Sequence, residues 1–207
     1  MTDGPAGPPS VEERRAALVI RQGGVVAFPT ETYYGLAVDP FNDQALARLF
    51  RLKQRPLTKP VLVLIEAVSD LERLTNGIPP QFKPLMTRFW PGPLTLIFPA
   101  RPGLSPLLTA GTGTVGVRLS SHPQARRLAA LSGGAITATS ANLSGQPPAG
   151  GEAEVLRQFG AGLDYLLAGG DTAGGLPSTV LAASGEAGLT LVRPGALAFP
   201  TLVPPTT

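Results

Sequence analysis

Runs of apolar residues at helical spacing alternate along this chain with short, continuous apolar stretches, and Gly and Pro stand at most of the changeovers. Ser10-Val-Glu-Glu13 sets a hydroxyl three residues before a carboxylate, a capping box that opens a helix to about Arg21. Gly23-Gly24 ends it, and Val25 to Phe28 reads as a short buried strand. Asn42 caps a second helix with Ala45, Leu46, Leu49 and Phe50 on one face. Pro56 and Pro60 break that pattern, and Val61 to Ile65 is a continuous apolar strand. Ser69 to Leu74 and Gln81 to Phe89 have helical spacing, as do Pro123 to Leu131 and Glu152 to Phe159. Leu94 to Phe98, Thr114 to Leu119 and Ala135 to Thr139 read as strands, followed by Tyr165 to Leu167, Thr179 to Ala182 and Leu189 to Val192. Strands alternating with helices predict one α/β domain. The pattern shows no repeat and no linker, and it does not fix the strand order.

Composition narrows the chemistry. With 43% hydrophobic and 15% charged residues in 207, a disordered polyelectrolyte is excluded. The 25 Gly and 23 Pro follow no three-residue period, so they punctuate turns. Zero cysteines exclude disulfides, thiolate zinc sites and a cysteine nucleophile. The single histidine, His122, precedes Pro123 and reads as a helix-entry residue, which speaks against a histidine-rich metal site or a serine–histidine triad. No apolar run reaches the roughly 18 residues of a membrane span. Residues 1–10 lack the basic-then-apolar order of a signal peptide. The expectation is a cytoplasmic protein with a flexible tail over residues 1–10 and one domain over 11–200.

Net charge is only +3, but the acids are unevenly placed. None falls between Asp43 and Glu66, where Arg48, Arg51, Lys53, Arg55 and Lys59 stand, and residues 73–151 hold none at all. A polyphosphate site gains from losing acids as much as from adding bases, so the distribution points to an anionic ligand. Arginines dominate the cations, which suits fork-like contacts to phosphate or carboxylate. There is no Walker loop. Gly111-Thr-Gly113-Thr-Val-Gly116 matches a dinucleotide pattern but leads into a strand, and no acid stands about 20 residues on. No acidic pair is spaced for a resident metal.

Four segments carry chemistry. Pro29-Thr-Glu-Thr-Tyr-Tyr-Gly-Leu36 follows a strand and offers two hydroxyls, a carboxylate and a glycine turn. Lys53-Gln-Arg55-Pro-Leu-Thr-Lys59-Pro60 is a cationic loop that two prolines stiffen, lowering the entropy lost when an anion binds. Thr137-Ala-Thr139-Ser140-Ala-Asn142-Leu-Ser144-Gly145 presents hydroxyls and an amide after a strand. Pro177-Ser178-Thr179, with Arg193-Pro-Gly195, adds hydroxyls and a guanidinium. Each alone is also what an ordinary turn or helix cap contains.

Together with Trp90-Pro-Gly-Pro-x-Thr95 and Thr114-Val-x-Val-Arg118, these segments resemble the YrdC family, the threonylcarbamoyl-AMP synthases, from about Val11 to Gly195. The chain ends soon after Arg193, so it is similar to the short, single-domain type. The resemblance implies a twisted mixed α/β sheet flanked by helices, with a concave basic cleft. It implies a nucleotidyltransferase that makes L-threonylcarbamoyl-AMP and pyrophosphate from L-threonine, bicarbonate and ATP. That product is the precursor of N6-threonylcarbamoyladenosine at tRNA position 37.

By matching positions, the resemblance places Thr32, Arg118, Ala138 and Ser178 on threonine, with Arg118 holding its carboxylate. It places Arg55, Lys59, Thr114, Ser140, Asn142 and Arg193 on ATP, with Lys53, Arg55 and Lys59 facing the triphosphate and Lys53 and Arg55 as catalytic residues. Mg²⁺ is expected with ATP or pyrophosphate and not on a dedicated protein site. The implied partners are the tRNA threonylcarbamoyl-transferase complex and tRNA itself, with no membrane. The sequence departs from the family pattern at Leu64, where some relatives carry histidine, and at Ser120, where many carry proline. It departs again at Leu181-Ala182, where an acid is frequent. Two other readings stay open. One is a non-catalytic module binding tRNA or double-stranded RNA, which few aromatics support. The other is the related carbamoyl-adenylate chemistry of long hydrogenase-maturation proteins, whose acylphosphatase and zinc-binding segments have no counterpart here.

Overall fold

A computed structural model describes residues 7–198; the part of the expected tail over residues 1–6 lies outside them, as do residues 199 and 200 of the expected domain. The described residues form nine strands: β1 (Val26–Phe28), β2 (Gly35–Ala37), β3 (Leu62–Ile65), β4 (Leu94–Pro99), β5 (Thr114–Leu119), β6 (Ala135–Ser140), β7 (Tyr165–Leu166), β8 (Thr179–Ser184) and β9 (Gly188–Arg193). They form one sheet in the order β7-β1-β2-β6-β3-β5-β4-β8-β9. Parallel and antiparallel pairs mix: β1 with β7, β3 with β5 and β4 with β8 are parallel, and the other neighbours are antiparallel.

The helices are α1 (Val11–Arg21), α2 (Asp43–Lys53), α3 (Leu71–Leu74), α4 (Phe82–Phe89), α5 (Pro106–Thr109), α6 (Pro123–Leu131) and α7 (Glu152–Phe159). Two of them start as the sequence dictates. Ser10 accepts from the Glu13 amide at 3.1 Å while the Glu13 carboxylate accepts from the Ser10 amide at 2.8 Å. Asn42 Oδ1 accepts from the Gln44 and Ala45 amides, both at 3.0 Å. Each cap satisfies amides that the first helical turn leaves unpaired.

Two elements escaped the pattern. β2 is only three residues long and lies beside the Thr-Glu-Thr turn, whose polar side chains mask it. The single turn α5 starts at Pro106 after the Ser105 cap. Elsewhere the ends differ by one or two residues, and the region from Val68 begins as a 3₁₀ turn before α3.

Alternation in the central strands divides the apolar residues between two faces. Val63 and Ile65 of β3, Leu94, Leu96 and Phe98 of β4, and Val115, Val117 and Leu119 of β5 enter the larger core, with Leu46, Leu49 and Phe50 of α2 and Phe82 and Leu85 of α4. Leu64, Ile136, Val26 and Phe28 face the other way and pack beneath α1 and α6. Those two helices cover one end of that second face. Leu62, Gly116, Arg118, Thr95, Ile97 and Val180 share the alternation of this face, and all but Gly116 and Thr95 line a cavity on it.

Candidate active site

The cavity measures about 600 Å³, in the range of small-molecule sites. Its floor is the open part of the sheet, with Leu62, Ile97, Val180 and Val192 as an apolar surface. Its walls come from the ends of strands. The turn between β1 and β2 brings Thr30 and Thr32, the loop after α2 brings Arg55 and Pro60, the end of β6 brings Thr139 and Ser140, and the residues before β8 bring Pro177 and Ser178.

Arg118 projects from β5 and is almost wholly buried, with a 2.7 Å ion pair from its Nη1 to Glu31 Oε1. The Ser120 hydroxyl donates to the other Glu31 oxygen, and the Ser120 Oγ accepts from the His122 amide at 3.1 Å. Ser120, a departure from the expected pattern, therefore anchors the carboxylate that faces Arg118. Burial lowers the Arg118 pKa while Glu31 raises it, so the carboxylate compensates a charge taken out of water. The remaining guanidinium donors have no protein partner among the described residues, and Arg118 lines the cavity. A fork of this kind fits a carboxylate.

Arg55 closes its own loop. Its Nε donates to the Lys59 carbonyl at 3.2 Å and its Nη2 to the Pro60 carbonyl at 2.7 Å. Arg193 Nη2 donates to the Ser178 carbonyl at 2.8 Å and to Ser178 Oγ at 3.0 Å. Burial lowers the pKa of Arg55 and then Arg193 lowers it further; burial lowers Arg193, and then Arg118 does so. Arg193 thus shares unfavourable charge with both Arg55 and Arg118, and all three line the cavity. An anion bound among them relieves that repulsion as well as gaining hydrogen bonds.

Of the residues singled out in the sequence, Thr32, Arg55, Arg118, Ala138, Ser140, Ser178 and Arg193 line this one cavity. Lys53, Lys59, Thr114 and Asn142 do not. Lys53, expected to face a triphosphate, is buried: its ammonium donates to the Ser140 carbonyl, to the Asn142 carbonyl at 2.6 Å and to Asn142 Oδ1 at 3.5 Å. The reason lies at the end of α2, where Gln54 adopts a left-handed conformation (φ 51°) and turns the chain between Lys53 and Arg55. Asn142 is consumed in the same turn, accepting from Ser140 Oγ at 2.5 Å and donating to the Leu143 and Gln146 carbonyls. Thr114 shares the face of Arg118 but stands farther out on β5, its hydroxyl 2.8 Å from that of Thr112. Lys59 is exposed. Among the described residues no group of three or more His, Cys, Asp or Glu side chains is placed to share a metal ion.

Sequence reasoning named Glu31 without pairing it with Arg118, 87 positions away. It likewise quoted Thr95 in a motif without linking it to Ser178, whose Oγ lies 2.9 Å from the Thr95 hydroxyl. Local spacing carries no signal for either pair.

Comparison with known proteins matches this geometry to one lineage. Residues 18–195 match the Sua5/YciO/YrdC family, described under the heading of telomere recombination. The threonylcarbamoyl-AMP synthase of Bacillus subtilis is 43% identical over 184 residues, covering 88% of this chain and 53% of that protein. The threonylcarbamoyl-AMP synthase of Halorhodospira halophila is 38% identical over 193 residues, 93% of this chain and 100% of that protein. The crystal structure of Pyrococcus abyssi Sua5 complexed with L-threonine superposes with a TM-score of 0.88 at 38% identity, over 94% of this chain and 58% of that one. The chain therefore spans about half the length of some relatives it matches and the whole of another. A sheet of this topology, a cavity walled by the shared motifs, and identity of this extent over most of the residues together establish that the chain belongs to the Sua5/YciO/YrdC family.

Proposed function

We propose that this chain is a nucleotidyltransferase that makes L-threonylcarbamoyl-AMP and pyrophosphate from L-threonine, bicarbonate and ATP. The observation that carries the proposal is the convergence of Thr32, Arg55, Arg118, Ser140, Ser178 and Arg193, drawn from across the sequence, on a single cavity. The names of the relatives and the threonine in the Pyrococcus abyssi Sua5 crystal support it.

In this reading the carboxylate of threonine lies against Arg118, with Thr32, Ala138 and Ser178 beside it. Arg55, Ser140 and Arg193 face the nucleotide and its phosphates. The threonine amine attacks bicarbonate with loss of water, or dissolved carbon dioxide with loss of a proton. An oxygen of the resulting carbamate then attacks the α-phosphorus of ATP and expels pyrophosphate. No covalent enzyme intermediate is needed, which suits a chain without cysteine. The protein contributes position and positive charge. Mg²⁺ enters on the phosphates as part of the substrate. The adenylate passes to a transferase complex that modifies tRNA, and the cytoplasm is where these reactants meet.

The decisive measurement is mass spectrometry of purified protein with Mg²⁺, ATP, L-threonine and bicarbonate. The expected result is the threonylcarbamoyl adduct of AMP, with pyrophosphate release that needs both threonine and bicarbonate. Folded protein that releases no pyrophosphate under these conditions would overturn the proposal. Salt-dependent tRNA binding without adenylate would then favour a non-catalytic RNA-binding module.

A further inference from the structure

Thr95 belongs to β4 and is fully buried. The register of β4 with β5 sets it beside Arg118, one position beyond the Leu96–Val117 pair. In the parallel register with β8 it pairs with Val180, and Ser178 stands two residues before Val180 on the same face. Its hydroxyl lies 2.9 Å from Ser178 Oγ and has no other hydrogen-bond partner among the described residues. Ser178 Oγ also accepts a hydrogen bond from Arg193 Nη2 at 3.0 Å.

A serine hydroxyl has one proton to give and two lone pairs to fill. If Ser178 gave its proton to Thr95, the proton of Thr95 would be buried with no acceptor among the described residues and bear the full cost of desolvation. The opposite direction strands no buried proton. Thr95 and Arg193 then both donate to Ser178, its two lone pairs are filled, and its O–H turns toward the cavity that Ser178 lines. We propose that Thr95 is a positioning residue that commits the Ser178 hydroxyl to donate to a ligand oxygen. Arg193 bonds that hydroxyl and Arg118 lines the same cavity, so the acceptor is anionic. On the function proposed above, it is the carboxylate of the amino-acid substrate.

The substitution that isolates this role is Thr95→Val, which keeps the shape and removes the hydroxyl. L-threonine and ATP are titrated separately by calorimetry into wild type, Thr95→Val, Thr95→Ser, Ser178→Ala and the Thr95→Val/Ser178→Ala double variant, with thermal melting as a check on folding. Thr95→Val is expected to weaken threonine binding about tenfold, the worth of one ordinary hydrogen bond, and to leave ATP binding unchanged. Thr95→Ser restores threonine affinity, and the double variant binds no worse than Ser178→Ala alone. Wild-type-like threonine binding by Thr95→Val overturns the role of Thr95, as does equal loss of threonine and ATP or failure of Thr95→Ser to rescue. Wild type that binds ATP but no threonine overturns the proposed function and, with it, the ligand assigned here.

Discussion

Lys53 takes an ammonium group into a place where its hydrogen-bond acceptors are carbonyls rather than carboxylates. Burial first, and the neighbouring Arg55 charge second, pull its pKa from 10.5 to about 7. In the unfolded chain the side chain returns to its ordinary value, so between about 7 and 10.5 the unfolded state binds more protons than the folded one. The stability linked to Lys53 is therefore fully present above 10.5, falls as the pH drops toward 7, and changes by at most about 1.4 kcal/mol per pH unit. A neutral amine still keeps two N–H donors for the Ser140 and Asn142 carbonyls, so deprotonation does not undo the turn. Urea unfolding of wild type from pH 7 to pH 10 should show stability rising with pH, and Lys53→Met should flatten that rise. Equal slopes in the two proteins would show that Lys53 stays charged throughout the range.

The strand β5 shows what alternation does for a site. Val115, Val117 and Leu119 fill the larger core, while Gly116 and Arg118 face the opposite side. A Cβ on Gly116 would come within 2.4 Å of Leu62 Cδ2 and 3.5 Å of Thr95 Cγ2. Leu62 lines the cavity floor, so the open space beside its side chain is the cavity. Gly116→Ala should therefore leave a folded protein with Leu62 pushed into the cavity, and nucleotide affinity lower by about tenfold, the worth of roughly one displaced contact group. Calorimetric titration with ATP checks this, and unaltered affinity would mean that the floor relaxes elsewhere. The same strand was legible in the sequence, because Val-x-Val-x-Leu announces its period. So were the caps of α1 and α2, whose residues interact within a single turn. β2 was not legible, since three residues beside a polar turn have no period to read. For the site, Thr32, Arg55, Arg118, Ala138, Ser140, Ser178 and Arg193, which the motif resemblance named, line one cavity. The resemblance did not reveal that Lys53 lies under the Ser140 turn, that Glu31 pairs with Arg118, or that the Thr95 and Ser178 hydroxyls touch. Those contacts depend on rotamers and on strand order, neither of which a motif encodes.

At the scale of the molecule, the cavity closes only because the sheet order is so unlike the chain order. β2, third from one edge, carries Gly35; β9, at the other edge, carries Val192 and Arg193; all three residues line the same space. Among the ties that join these distant segments, the Gly174 amide donates to the Thr32 carbonyl at 2.8 Å, the Tyr33 hydroxyl donates to the Gly175 carbonyl at 2.5 Å, and Glu31 pairs with Arg118 at 2.7 Å. Ser178 and Arg193 are joined as described above. A ligand that touches residues from Thr32 to Arg193 therefore adds links between parts of the chain that lie far apart in the sequence. With ligand at a hundredfold its Kd, the added stability is about 2.7 kcal/mol, which for a chain of this size raises the melting temperature by about 5–10 °C. Hydrogen exchange should then show protection rising together in the segment around Thr32, in the loop before β8 and in β9 when ATP and threonine are both present. Protection confined to one of those three segments would mean that the ligand engages one wall of the cavity and that the sheet order does not unite them into one site.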